Sequence, residues 1–249
     1  MKNNKTLLDY KEIIMSLPEK EKYTKNDLLI PELLVDKNNF IEIYYAPHNE
    51  YINKEAKIFI IGITPGFKQM NKAIITAKNG FNNNLNIETI QKNCKEQARF
   101  SGTLRKFMIN MLDEIQLNRK LQIDTTARLF EPYNKLLHSV SLIPYPTFIA
   151  QQNYNGHSPK LLNNQFLMNY VREHFSKEIA QLKNKNELLI IPLGKAVELV
   201  VVEFAKYNLL NQKQILQGFP HPSGANRNRI KQLIQNKESL ITQVNYSYL

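Results

Sequence analysis

The chain has 249 residues and a mass of 29.1 kDa, with 43% hydrophobic and 22% charged residues, which suits one ordinary α/β domain or two small ones and excludes wholesale disorder. Its single cysteine, Cys94, excludes an internal disulfide framework, a four-cysteine zinc site and an iron–sulfur cluster built by this chain alone. Lys and Arg number 33 against 22 Asp and Glu, a net charge of +11, which suits a polyanionic partner but also follows from a lysine- and asparagine-rich coding bias.

The apolar runs at residues 188–193 and 199–202 are far shorter than the ~20 residues a bilayer needs, so no membrane partner is expected. No apolar stretch follows Met1-Lys2-Asn3-Asn4-Lys5-Thr6, so no signal peptide is expected and the setting is cytoplasmic. Residues 8–18 read as a short helix stopped by Pro18, and residues 40–45 as a strand. Residues 1–39 are expected to form a helical extension packed on a domain of residues 40–249. The run Lys57-Ile58-Phe59-Ile60-Ile61-Gly62 breaks at Thr64-Pro65-Gly66, the pattern of a buried parallel strand ending in a tight turn. Residues 68–78 and 87–116 read as helices, the second broken near Ser101-Gly102, with the Asn-rich stretch 79–84 as a loop. Residues 136–143 and 187–192 read as further strands, residues 161–183 as an amphipathic helix, and Gly194-Lys195-Ala196 as a helix start. Residues 214–217 read as a short strand, followed by a rigid loop and a helix from about Ala225. Strands alternating with helices predict a parallel sheet covered on both faces, with ligands at the carboxyl ends of its strands. The unusual segments 62–67, 143–157 and 218–229 fall there.

Gly62-Ile63-Thr64-Pro65-Gly66-Phe67 lacks the Gly-Lys-Ser/Thr ending of a phosphate-binding loop and is not Gly-x-Gly-x-x-Gly. Alone it reads as a strand-to-helix turn. In His221-Pro222-Ser223-Gly224-Ala225-Asn226-Arg227-Asn228-Arg229, two prolines bracket a histidine, and a serine precedes a glycine and an expected helix start, a good place for phosphate oxygens. The segment from Tyr145 through Gln151-Gln152-Asn153-Tyr154-Asn155-Gly156-His157 interleaves aromatics with amides, which suits either a flat heterocycle or an ordinary loop over the core. His48 reads as a pocket flank or an exposed residue, His157 as a loop residue and His174 as structural. No carboxylate cluster or His-x-x-x-His is present, so no metal is expected.

Taken together, these segments resemble the uracil-DNA glycosylase superfamily, in particular a branch with the motifs Gly62-Ile63-Thr64-Pro65-Gly66 and His221-Pro222-Ser223-Gly224-Ala225-Asn226. Ile43-Tyr44-Tyr45-Ala46-Pro47, Phe100-Ser101-Gly102-Thr103-Leu104-Arg105, Leu136-Leu137-His138-Ser139, Tyr145-Pro146, Asn153-Tyr154-Asn155-Gly156 and Pro192-Leu193-Gly194-Lys195-Ala196 extend the likeness in order over roughly residues 40–230. The resemblance implies a three-layer α/β/α sandwich with a central four-stranded, mostly parallel sheet. It also implies base flipping and hydrolysis of an N-glycosidic bond in DNA, by a monomer without cofactor, metal or iron–sulfur cluster.

Under that resemblance His221 and Thr64 are the catalytic candidates. His221 would donate to the departing base, as an oxyanion-hole donor does. Gly62, Ile63, Phe67, His138, Ser139, Tyr145, Asn153 and Tyr154 would surround the base. Pro65, Gly66, Ser223, Gly224, Ala225, Asn226, Arg227 and Arg229 would contact DNA, with Arg227 or Asn226 filling the gap left by the flipped base. Branches that cut uracil efficiently carry Asp or Asn where this chain has Thr64, and a hydroxyl is no general base near neutral pH. The expected substrate is therefore uracil or a modified cytosine, in repair or in antiviral defence. The alternatives are a catalytically inactive binder of modified or abasic DNA on the same fold, and a nucleotide or nucleoside hydrolase.

Overall fold

A computed structural model describes residues 5–131, 135–183, 187–247 and 249. The chain is mixed α/β and divides into two compact units. One comprises Met1–Tyr51, Thr64–Ser101 and Ile143–Ser158; the other Ile52–Ile63, Gly102–Leu142 and Pro159–Leu249.

The first unit carries strands β1 (Leu34–Asn38) and β2 (Ile41–Tyr44) and helices α1 (Lys11–Ser16), α2 (Lys25–Leu28), α3 (Phe67–Asn82) and α4 (Ile87–Ala98). Strands from Thr147–Ile149 and Gln152–Asn153 complete an antiparallel sheet in the order β1, β2, 147–149, 152–153. The strand expected at 40–45 therefore forms, but in this antiparallel sheet. The two-residue turn at Asn39-Phe40, with Asn39 at φ 51°, sends β2 back along β1. The boundary expected at residue 39 consequently lies inside a hairpin. The Asn-rich stretch is mostly helix, because α3 continues to Asn82. Gly80 makes this possible: a Cβ there would stand 2.7 Å from Cγ1 of Ile90, so only glycine lets α3 and α4 approach so closely. Asn86 caps α4 by accepting from the Thr89 N–H at 2.9 Å.

The hairpin 147–153 turns on Ala150 and Gln151, both at positive φ (46° and 59°) as in a type I′ turn. Neither residue favours that region, which costs L-residues roughly 1–2 kcal/mol each. Replacing Ala150-Gln151 by Asn-Gly should therefore raise stability by about 1 kcal/mol, read as a higher thermal midpoint. A lower midpoint would mean that the native side chains hold the turn by contacts that outweigh its strain.

The second unit is built on a parallel sheet of β3 (Ile58–Gly62), β4 (Leu137–Ser141) and a strand at Leu189–Pro192, in the order β4, β3, 189–192. Ile58, Phe59, Ile60 and Ile61 are all fully buried, so both faces of β3 are covered, as the unbroken apolar run required. Helix α5 (Thr103–Glu114) and a short helix α6 (Leu117–Lys120) precede β4. Then come α7 (Gln165–Gln181), α8 (Lys195–Lys206) and α9 (Arg229–Asn245). α7 lays Phe175 on Phe59 with ring centroids 6.1 Å apart, and Phe204 of α8 meets Phe175 edge-on at 5.3 Å.

Two expectations need correction here. The segment 214–217 is no full strand. A 3-10 turn at Gln212–Gln214 leads to a single parallel bridge between Ile215 and Ile190, with the Leu216 N–H donating to the Ile190 carbonyl at 2.8 Å. The parallel sheet thus has three strands among the described residues, and β2 lies outside it. The last helix begins at Arg229, because residues 223–228 spend their backbone groups on successive turns, Asn226 N–H to Ser223 O and Arg229 N–H to Asn226 O.

Candidate functional site

In the second unit the histidine loop is held from several sides. The Ser223 N–H donates to His221 Nδ1 at 3.1 Å. A neutral imidazole whose Nδ1 accepts must carry its proton on Nε2, so this contact selects the tautomer. His221 Cβ rests on the backbone of Gly194. A Cβ at Gly194 would approach it to 2.9 Å, and Gly194 also stands at φ +80°. Position 194 is thus glycine on two counts. The Ser223 hydroxyl accepts from the Ala225 N–H at 3.1 Å, while Gly224 packs 3.8 Å from the Phe107 ring, measured from its would-be Cβ.

The flanking polar residues divide by role. Asn226 is a brace: its amide donates to the His221 carbonyl at 3.1 Å and to Gln232 at 3.0 Å, and its Oδ1 accepts from the Asn228 N–H at 3.2 Å. Arg229 lies on the Phe107 ring with its guanidinium carbon 4.1 Å from the centroid, and donates to the Asn226 carbonyl at 3.4 Å. Arg227 is exposed and has no side-chain hydrogen bond or ion pair among the described residues. Of the expected phosphate donors, the Ala225 N–H is already engaged, while the Gly224 N–H has no partner among the described residues.

His138 and Ser139, expected at the base edge, lie buried in β4. His138 Nε2 meets Glu178 Oε1 of α7 at 2.5 Å, the Asn53 N–H donates to its Nδ1 at 3.4 Å, and its ring stacks on Phe59 at 5.2 Å. Accepting at Nδ1 puts the ring's proton on Nε2, which donates to Glu178, and the ring belongs to the packed interior of its unit. Gly62 ends β3 opposite Ser141, and its carbonyl accepts from the Leu142 N–H at 2.9 Å. Ile63 follows as the last residue of that segment of the unit.

In the first unit the segments 64–67 and 145–154 come together. The Thr64 hydroxyl donates to the Tyr145 carbonyl at 2.7 Å and accepts from the Thr147 N–H at 3.1 Å. Its one proton is thereby spent, leaving a lone pair at most for a water. Pro65 is buried. The Gly66 N–H donates to Gln69 Oε1 at 3.0 Å, and the Phe67 N–H to Asn153 Oδ1 at 2.9 Å. These bonds cap α3, which withdraws its first N–H groups from a ligand. They also orient Asn153: with Oδ1 turned to a backbone donor, its amide NH2 is what remains to present, and it has no partner among the described residues. Phe67 stands edge-on to Phe148 at 6.5 Å and is half-buried. Tyr145 and Tyr154 are buried, and burial pushes the Tyr154 phenol up, so it stays protonated.

His48 is 2% exposed, and neither ring nitrogen has a hydrogen-bond partner among the described residues. Burial, reinforced by Lys95, lowers its pKa to about 3 and keeps it neutral. His157 is exposed in an Asn155 turn, and His174 stacks on Tyr170 in α7. Asp124 and Glu131 both pair with Arg128, at 3.2 and 2.8 Å, on the surface. A groove of about 430 Å³ runs along α3 and α4 past Lys72, Thr76, Asn79, Asn83, Asn93 and Gln97, and its lining holds no carboxylate, histidine or cysteine. Among the described residues no three His, Cys, Asp or Glu could hold a metal, and no helix is long and apolar enough to cross a membrane.

Glu198, Asn236 and Phe107 around the histidine loop escaped sequence reading, since nothing in their spacing distinguishes them from ordinary helix positions. No family model and no solved structure matches the chain. It is similar to a Bacillus subtilis (strain 168) protein named "Uncharacterized protein YoxB", at 39% identity over 242 residues, 97% of this chain and 93% of that protein. At that identity over nearly the whole of both chains, this chain belongs to the same family as YoxB.

Proposed function

We propose that the chain is a monomeric, cytoplasmic DNA glycosylase that flips a pyrimidine, uracil or a modified cytosine, out of DNA and hydrolyses its N-glycosidic bond. The observation that carries this reading is the tautomer of His221, with Nδ1 accepting from the Ser223 N–H, which puts the proton of a neutral ring on Nε2. Cleavage puts positive character on the sugar and negative charge on the departing base. A neutral Nε2–H aimed at a base oxygen stabilises that charge without needing to lose a proton. Exposed Arg227 and the Gly224 N–H are suited to phosphates, and the net charge of +11 favours a nucleic-acid partner. Taken within the first unit by itself, Asn153 offers amide donors of the kind that suit a pyrimidine carbonyl, and Phe67 a half-buried ring of the kind that suits stacking.

The same reading takes the bridge at Ile215 as a vestigial fourth strand beside 189–192, which would give the four-stranded parallel sheet and three layers of the resembling superfamily. Hydrolysis needs a water. With its proton committed to Tyr145, the Thr64 hydroxyl has no base to offer a water, which favours a largely dissociative step. That commitment also favours a second reading, a binder of modified or abasic DNA that does not cut.

The test is abasic-site formation on single- and double-stranded DNA carrying uracil or 5-modified cytosines, read as strand breaks after alkali. Breaks at uracil indicate repair, and breaks at modified cytosine alone indicate defence against DNA carrying such bases. Salt-sensitive binding with no breaks at any protein excess supports the binder, and neither breaks nor binding rejects both readings.

A further inference from the structure

Gly218, three residues before His221, is gripped at both of its backbone polar groups. Its N–H donates to Oε2 of Glu198 on α8 at 2.6 Å, and its carbonyl accepts from Nδ2 of Asn236 on α9 at 2.8 Å. Gly218 stands at φ +90°, and a Cβ there would lie 3.1 Å from Asn236 Nδ2, so the peptide can be held this way only as glycine. One residue earlier, Gln243 of α9 binds both backbone groups of Gln217, accepting from its N–H at 2.8 Å and donating to its carbonyl at 3.1 Å. Two helices thus meet on one short stretch.

Glu198 is the buried member of this set, only 5% exposed, although its other oxygen reaches Lys195 at 2.6 Å, whose side chain is 71% exposed. A carboxylate so deeply buried is costly unless its acceptors are filled. Here one oxygen is filled by a backbone donor of the histidine loop. Gly194, the residue on which His221 Cβ rests, is the N-cap of α8, so this helix and its cap supply both the seat under the imidazole and the anchor for the chain leading to it.

We infer that Glu198 is a positioning residue for His221: through the Gly218 N–H it holds residues 218–221 so that His221 sits on Gly194 with Nδ1 facing the Ser223 N–H. The inference rests on the proposed glycosylase reading for its consequence, but its geometry does not. What matters is the acceptor oxygen, not the charge. Lys195, on the exposed side of the carboxylate, is dispensable to this role.

The experiment uses the full chain and compares Glu198→Ala, Glu198→Gln and Lys195→Met. Imidazole 15N shifts report the His221 tautomer, and abasic product is measured alongside. In the unsubstituted protein and in Lys195→Met, His221 should show one fixed tautomer. Glu198→Ala should show averaging between the two tautomers and lose about 100-fold in turnover, the scale expected for a misplaced catalytic group, with DNA affinity retained. Glu198→Gln keeps an acceptor oxygen and should restore both. A fixed His221 tautomer in a folded Glu198→Ala protein would overturn the inference. So would failure of a folded Glu198→Gln to restore the tautomer, or averaging in Lys195→Met. Should Glu198→Ala fail to fold, the Gln and Met variants decide alone. If the tautomer pattern appears as expected while no variant or parent cuts any DNA, positioning stands and the glycosylase reading falls.

Discussion

His221→Ala is expected to lower abasic-site formation by about 10²–10³-fold, the loss seen when one preorganised donor to a developing anion is removed. DNA affinity should hardly move, because phosphate contacts supply most of it and His221 makes none in this reading. Single-turnover product formation and a binding titration at several salt concentrations separate the two quantities. Equal turnover in His221→Ala and the parent would remove His221 from the chemistry and leave the loop a structural feature. An equal loss of binding and turnover would instead mark the substitution as collapsing the loop. That outcome is disfavoured by the backbone anchors at Gly218, Gln217 and Asn226, none of which involves the imidazole.

The second large effect concerns acid stability. His48 has a folded pKa lowered from 6.5 to about 3, chiefly by burial and secondarily by Lys95. Below about pH 6.5 the unfolded chain takes up a proton at this residue that the folded chain refuses until near pH 3. Stability from this group is therefore fully present above pH 6.5, falls as pH drops and is lost by about pH 3, a change on the order of 3–5 kcal/mol. Glu50 works the other way. Burial raises its carboxyl, so it favours the folded state as pH falls through its raised pKa. Substitution at His48 isolates the first effect from the second. His48→Met should be neutral or stabilising at pH 7, since it removes a buried ring whose nitrogens have no partner among the described residues. It should also flatten the decline between pH 6.5 and 3, as measured by urea midpoints across pH. Parallel curves for parent and variant would show that His48 is solvated or paired in the folded protein.

The same residue illustrates what was legible beforehand. A histidine after proline reads equally well as a pocket flank or an exposed loop residue. Only the packing of 47–49 against its unit makes it buried and unpartnered. His138 shows the reverse. Its strand was legible from the apolar run 136–143, but not Glu178 forty residues on, which draws it into the interior. The hairpin at 147–153 left no trace, because Ala150-Gln151 carries none of the Asn-Gly chemistry that announces such a turn.

By itself the sequence indicated the buried parallel strand at 57–62, helices at 68–78 and 87–116 with a break near Ser101-Gly102, and the proline-bracketed His-Pro-Ser-Gly loop. Each follows from hydrophobic period, length, or the local limits on proline and glycine, which act within a few residues. Only the tertiary structure decided that β2 joins an antiparallel sheet, that Thr64 spends its proton on Tyr145, that Asn153 presents its amide donors, and that Glu198 holds the peptide before His221. Those outcomes depend on hydrogen bonds between positions 20 or more apart along the chain, where no periodicity links the partners.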